Sequence, residues 1–175
     1  MMTDTDYLVR KGLPDILPKL RRFALVLALN QADADDLVQT AIERALTRAH
    51  QFRAEARLES WMFKIMQNIW IDQKRSQARK GIHIDVDAIN NMVGEDGRKT
   101  TAINAMMVEV RKSIVALPDE QRLVVGLILV EGQSYKDAAN IIGAPIGTIM
   151  SRLSRARQAI MNDIGLTSFP ESQMT

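Results

Sequence analysis

The sequence predicts an all-α protein: two small helical domains joined by a flexible linker, the C-terminal one a helix-turn-helix. Three observations lead there. Aromatic residues supply only 5% of the chain while Ala, Leu, Ile and Met abound, a balance that favours helices over sheets. Apolar positions recur at helical spacing along both halves. Between the halves, GIHIDVDAINNMVGEDGRKT (81–100) carries three glycines, paired Asn and scattered acids with no sustained period, which is linker composition. The expected boundaries are a helical domain at 1–80, a linker at 81–100, a helix-turn-helix domain at 101–165 and a polar tail at 166–175.

In the first half, Leu13 to Leu29 reads as a helix with Pro14 tolerated in its first turn. A second helix is expected after Asp33, a candidate N-cap with Asp36 three residues on. Its Leu37, Val38, Ala41, Ile42, Ala45 and Leu46 share one face. From Leu58 to about Arg79, the residues Leu58, Met62, Ile65 and Ile69 line one side of a single long helix or of two helices broken near Asn68. After the linker, Thr101 to Leu117 places Ile103, Met106, Met107, Val110, Ile114 and Leu117 on one side. The stretch Asp119 to Val130 is apolar nearly all round after Arg122 and should form the centre of a small bundle. Ser134 with Asp137 resembles a capping box opening a short helix to Ile142. Gly143 permits a tight turn, and Pro145 starts a final helix through Ile160.

Composition excludes several chemistries. There are no cysteines, so no disulfide, thiolate zinc site or Cys nucleophile is available. The two histidines, His50 and His83, are too few for a His-based metal cluster. Asp85 and Asp87 read as solvated linker carboxylates rather than a hard-metal site, which needs more converging oxygens. No phosphate loop or nucleophile constellation is visible, so neither enzymatic activity nor a cofactor or metal is expected. The longest apolar run, Leu123 to Val130, is too short to span a bilayer, and the N-terminus lacks the apolar core of a signal peptide. A soluble cytoplasmic protein without membrane insertion is expected.

The net charge is only +2, so its distribution matters more than its size. From Gln51 to Gly81 seven basic residues face three acidic ones, and from Ile146 to Ile160 there are three arginines and no acid. On a wheel of the last helix, Ile149, Leu153, Ala156 and Ile160 cluster within about 60° as the buried stripe. Gly147, Ser151, Ser154, Arg155 and Gln158 then point outward, with Arg152 and Arg157 on the flanks. Such a helix suits a major groove: small residues allow close approach, Arg155 can reach guanine O6 and N7, and the flanking arginines suit phosphates. Read bare, the same pattern also describes an exposed polar helix face.

Longer matches narrow the choice. LPDEQRLVVGLILVEGQSYKDAANIIGAPIGTIMSRLSRARQAI (Leu117 to Ile160) resembles the promoter-binding C-terminal domain of extracytoplasmic-function (ECF) sigma factors of bacterial RNA polymerase. DADDLVQTAIERAL (Asp33 to Leu46) resembles that family's polymerase-binding helix, and LESWMFKIMQNIWIDQKR (Leu58 to Arg75) its helix for the minus-ten element. The matches stand in the family's order and cover most of the chain. GTIMSRLSRAR further resembles the general-stress sigma factors of alphaproteobacteria.

The resemblance implies an alternative sigma factor whose partners are core RNA polymerase, promoter DNA and an anti-sigma factor. The Asp33–Leu46 helix would dock on the clamp helices of the polymerase's largest subunit through Gln39, Thr40 and Glu43, with Asp35 and Asp36 peripheral. The family often carries an acid where Thr40 stands. The 58–80 segment would open the minus-ten element and hold a flipped base, with Asn68 at the matching position and Arg57, Lys64, Lys74, Arg75 and Arg79 neutralising the backbone. Trp61 is expected in the core; Trp70, where the family has a smaller residue, could pack or stack on DNA. In the last helix, Ser151, Ser154 and Arg155 match the base-reading positions for the minus-thirty-five element, with Gly147, Thr148, Arg152 and Arg157 around them. Met150 departs from the basic residue often found there. Two other readings compete. A sigma-mimic decoy binding an anti-sigma factor would need no basic DNA-facing helix. A stand-alone helix-turn-helix regulator would leave the first-half matches unexplained.

Overall fold

The computed structural model describes residues 4–81 and 102–165. The described residues contain seven α-helices and no strand. Asp85, Asp87, His83 and the tail from Thr167 lie outside them.

Helix α1 runs Asp4–Ala28, starting well before the expected Leu13, so Pro14 and Pro18 both lie in its interior. Each proline removes a backbone donor, and both stand on the exposed side. What offsets that loss is burial: Val9, Leu13, Leu20, Phe23, Ala24 and Leu27 form the inner stripe. Asp4 and Asp6 in the first turn complement the helix dipole. The chain then turns at Leu29, held in the left-handed region at φ 69° while its side chain is buried. Helix α2, Gln31–Thr47, is capped by Asn30 rather than by Asp33. The Asn30 side chain accepts from the Asp33 amide at 2.8 Å.

A short 3₁₀ turn (Ala49–Gln51) leads to Phe52, whose ring sits 5.2 Å from that of Trp61. Trp61 is half-buried against the core, as expected. Helix α3, Leu58–Arg79, is one unbroken helix of 22 residues with no interruption at Asn68. It buries Met62, Phe63, Met66, Ile69 and Trp70. Phe63 meets Phe23 of α1 edge-on at 4.9 Å, the packing aromatic quadrupoles favour.

The second half begins with α4, Ala102–Ala116. Met106 and Met107, expected on its buried side, are about half exposed at 48% and 49%; Leu117 is buried as expected, and Ser113 is buried as well. Helix α5, Asp119–Val125, continues into a π-helical turn at Gly126–Val130, closed by the Glu131 amide donating to the Gly126 carbonyl at 3.1 Å. Its Leu123, Val124, Val125 and Leu127 are the expected bundle centre. Helix α6, Tyr135–Ile142, is capped by Ser134, which accepts from the Asp137 amide at 3.0 Å. Gly143 takes φ 76°, the left-handed geometry that ends the helix without a Cβ penalty. Helix α7 extends to Ile164, a turn beyond expectation, and buries Ile149, Leu153, Ala156 and Ile160.

The two halves pack on each other through a single continuous core. The Phe23 ring lies so close to Gly126 that a Cβ there would stand 2.9 Å from two ring carbons. Around this contact the interface is polar. Arg22 forks onto the Glu131 carboxylate at 3.0 and 3.1 Å. The Leu27 carbonyl, at the end of α1, accepts from both the Trp70 indole (3.1 Å) and the Arg122 guanidinium (3.3 Å). Gln133 donates to Glu59, which also receives Lys19 at 2.8 Å.

Candidate nucleic-acid interface

Helix α7 presents its outward face as the wheel predicts. Gly147, Ser151, Ser154, Arg155 and Gln158 are exposed, and nothing lies within 4 Å of where a Cβ on Gly147 would stand. Thr148 is half-buried. Of the three arginines, Arg155 projects freely, with no ion-pair partner among the described residues. Arg152 is held at 2.7 Å by Glu120 of α5, with its side chain only 20% exposed, and Arg157 is half-buried on the opposite flank. The three therefore differ: Arg155 is available for a base edge, whereas Arg152 must leave Glu120 before it can meet a phosphate.

On α3, continuity of the helix turns scattered basic residues into a row. At 100° per residue, Lys64, Asn68, Arg75 and Arg79 fall within about 60° of one another. Asn68, Arg75 and Arg79 are exposed and Lys64 is half-buried. Lys74 leaves this row: its amine lies 3.6 Å from Asp119 and 5.8 Å from the Trp70 ring centroid. Arg57, just before α3, lies 3.3 Å from Asp137 and 3.7 Å from Glu59. In this arrangement two residues expected to neutralise DNA, Lys74 and Arg57, are paired with acids of the second domain. Trp70 is 4% exposed with its indole hydrogen bonded, which answers the open question about it in favour of packing.

On α2, Asp35, Asp36, Gln39 and Glu43 are exposed and Thr40 is half-buried. Gln39 donates to Glu43 at 3.0 Å across one turn. A shallow groove beside them is lined by Leu17 and Arg21 of α1 and by Val38 and Ile42 of α2. An apolar floor rimmed by an amide and carboxylates suits docking on a partner helix.

Sequence reasoning missed the residues that join the halves: Glu59, Arg122, Glu131 and Gln133, all at most 8% exposed. Burial raises the Glu131 carboxyl above its ordinary range, with the hydrogen bond and charge of Arg22 pulling the other way. Desolvation lowers the Arg122 guanidinium, partly countered by Asp119, yet an arginine stays charged. Among the described residues no group of three or more acidic or histidine side chains is placed to hold a metal, and no helix is long and apolar enough to cross a membrane.

The structure thus joins a helix-turn-helix with an exposed polar and basic face to a helical domain that carries a basic row on α3 and an exposed acidic face on α2. Comparison with known proteins makes the class specific. Residues 13–67 match the model described as the sigma2 domain of PhyR, and residues 107–160 match sigma-70 region 4. The chain is 34% identical to the ECF RNA polymerase sigma factor EcfG of Rhodopseudomonas palustris, over 87% of this chain and 82% of that one. Its structure is similar to the sigma factor RpoE of Bartonella quintana, solved with the anti-sigma factor NepR, at TM-score 0.74 and 29% identity, covering 91% of this chain and 98% of that one. A fold likeness extends to the anti-anti-sigma factor PhyR of Bartonella quintana, at TM-score 0.58 and 16% identity, covering 87% of this chain and 49% of that one. The chain belongs to the ECF RNA polymerase sigma factors, alternative sigma factors that direct core RNA polymerase in promoter recognition and transcription initiation. Its relatives are sigma factors, not enzymes.

Proposed function

We propose that this sigma factor divides promoter recognition between α7 and α3. Arg155, with Ser151 and Ser154, reads base edges of the minus-thirty-five element, while Gly147 and Thr148 admit the backbone and Arg152 and Arg157 meet phosphates. Asn68 takes the flipped minus-ten base, and Lys64, Arg75 and Arg79 carry the adjacent strand. Gln39, Thr40 and Glu43 dock on the polymerase clamp helices, with Asp35 and Asp36 at the edge. The protein works in the cytoplasm and catalyses no reaction of its own. The observation that carries the reading is the outward face of α7, where Arg155 is exposed and unpaired among the described residues.

Promoter binding requires the two halves to part. The elements named for positions ten and thirty-five lie about 25 base pairs apart, about 85 Å along the duplex at 3.4 Å per step. In the closed arrangement the Lys64 amine of α3 stands 3.5 Å from the Cβ position of Gly143, in the helix-turn-helix turn itself. Opening also releases Lys74 from Asp119 and Arg57 from Asp137. The expected minus-ten set is then complete only in the open form. Since the related RpoE is solved with an anti-sigma factor, an anti-sigma protein is the proposed antagonist of opening here.

Transcription in vitro, with the purified chain added to core polymerase over a genomic fragment library, tests the reading. Transcripts sharing one bipartite upstream motif are expected. On that promoter Arg155→Ala should weaken binding by about 1–3 kcal/mol. Equal loss on scrambled promoters would make Arg155 a phosphate contact. The match of residues 13–67 to the sigma2 domain of PhyR favours a second reading, a decoy for an anti-sigma factor. Anti-sigma capture without any transcript would establish the decoy.

A further inference from the structure

The groove-facing helix carries an apolar pair among its small and basic residues. Met150 is 54% exposed and Ile146 is 46% exposed, one helical turn apart at the N-terminal end of α7. They border Gly147, Ser151 and Ser154, and among the described residues no aromatic, ion-pair or hydrogen-bond contact engages either side chain. Placing two large apolar side chains in water on a helix whose other outward residues are short or polar costs free energy without a folding return. A bound apolar surface would recover that free energy.

The N-terminal residues of such a helix are those that enter a major groove. The groove offers one apolar recognition feature, the C5-methyl group of thymine; every other base-edge group there is a donor or an acceptor. A thioether chain cannot satisfy those groups, but it packs readily on a methyl, and its flexibility lets it fill an irregular gap. We propose that Met150, backed by Ile146, is a specificity-determining residue that reads a thymine methyl group within the minus-thirty-five element. This rests on the reading of α7 as the promoter-recognition helix. It complements Arg155: the arginine selects a guanine by charge-assisted hydrogen bonds, the methionine a thymine by burial.

The test uses holoenzyme and the promoter selected by in vitro transcription. Each thymine of the minus-thirty-five element, on either strand, is replaced by deoxyuridine, which deletes the methyl and leaves every hydrogen-bonding group in place. At one position the replacement should lower promoter affinity about three- to fivefold, the scale of one buried methyl. Met150→Ala should bind the thymine and deoxyuridine promoters equally, while Met150→Leu, which keeps the apolar bulk, should retain the preference. Transcripts whose promoters are indifferent to deoxyuridine everywhere, or an element with no thymine on either strand, would overturn the inference and leave the sigma reading intact. Undiminished discrimination by Met150→Ala would also overturn it, and would turn the pair over to a protein partner. Absence of any core-dependent transcript would sink both readings together.

Discussion

The interior of the first domain and the seam between the two domains are built from different materials. Inside the first domain, α1, α2 and α3 meet through Leu20, Leu37, Met62, Phe63 and Met66, all fully buried and all apolar. At the seam the apolar core continues, with Phe23 against Gly126, but buried polar pairs are added to it: Arg22–Glu131, Gln133–Glu59 and the Arg122 bond to the Leu27 carbonyl. An apolar core yields nothing when exposed to water and stays shut. Polar groups regain water on opening, so a polar seam loses less free energy by parting. Under the proposed opening, each domain stays intact while their association reverses.

Four substitutions probe that contrast. Phe63→Ala removes a fully buried ring and should cost about 3–5 kcal/mol of global stability in a denaturant titration. A loss under about 1 kcal/mol would mean that the apolar interior does not dominate. Arg122→Met deletes the guanidinium bonded to the Leu27 and Leu117 carbonyls and should cost about 2–3 kcal/mol. Faster amide exchange concentrated where α1 meets α5 would place that loss at the seam; uniform acceleration would place it in the fold as a whole. Gly126→Ala drives a Cβ onto the Phe23 ring, at about 1–3 kcal/mol, and should part the domains. An enlarged radius of gyration at unchanged helicity is the expected signature, and a compact molecule would break the comparison.

Glu131→Gln should have the smallest effect, and its sign depends on pH. Burial raises the folded carboxyl, so its favourable contribution is fully present below the ordinary glutamate value and is lost as pH rises through the raised one. Glutamine does not titrate. Melting temperatures measured across that window should show the variant gaining on the wild type as pH increases. Parallel curves would mean that the Arg22 pair cancels the desolvation.

Much of the exposed face of α7 was legible because it is local. The stripe Ile149–Leu153–Ala156–Ile160 and the outward Ser151, Ser154 and Arg155 follow from helical periodicity alone, and the Ser134 cap and Gly143 turn are short-range signals. Local rules misplaced the start of α1, because Pro14 looks like a first-turn residue when the burial that tolerates it inside a helix is out of sight. They also chose Asp33 over Asn30 as a cap, since both residue types accept from an amide three residues on.

By itself, the sequence determined most of the helices, the outward face of α7 and the exposed acidic face of α2, since each depends on residues three or four positions apart. Only the tertiary structure decided which charges remain available. Lys74 and Arg57 are paired with Asp119 and Asp137 from the other domain, and Glu131 is paired with Arg22 across 109 residues of chain. The physical reason is range. Helix periodicity acts within one turn, whereas burial and ion pairing depend on which distant segment arrives, and here that arrival pairs basic residues around α3 with acids of the second domain.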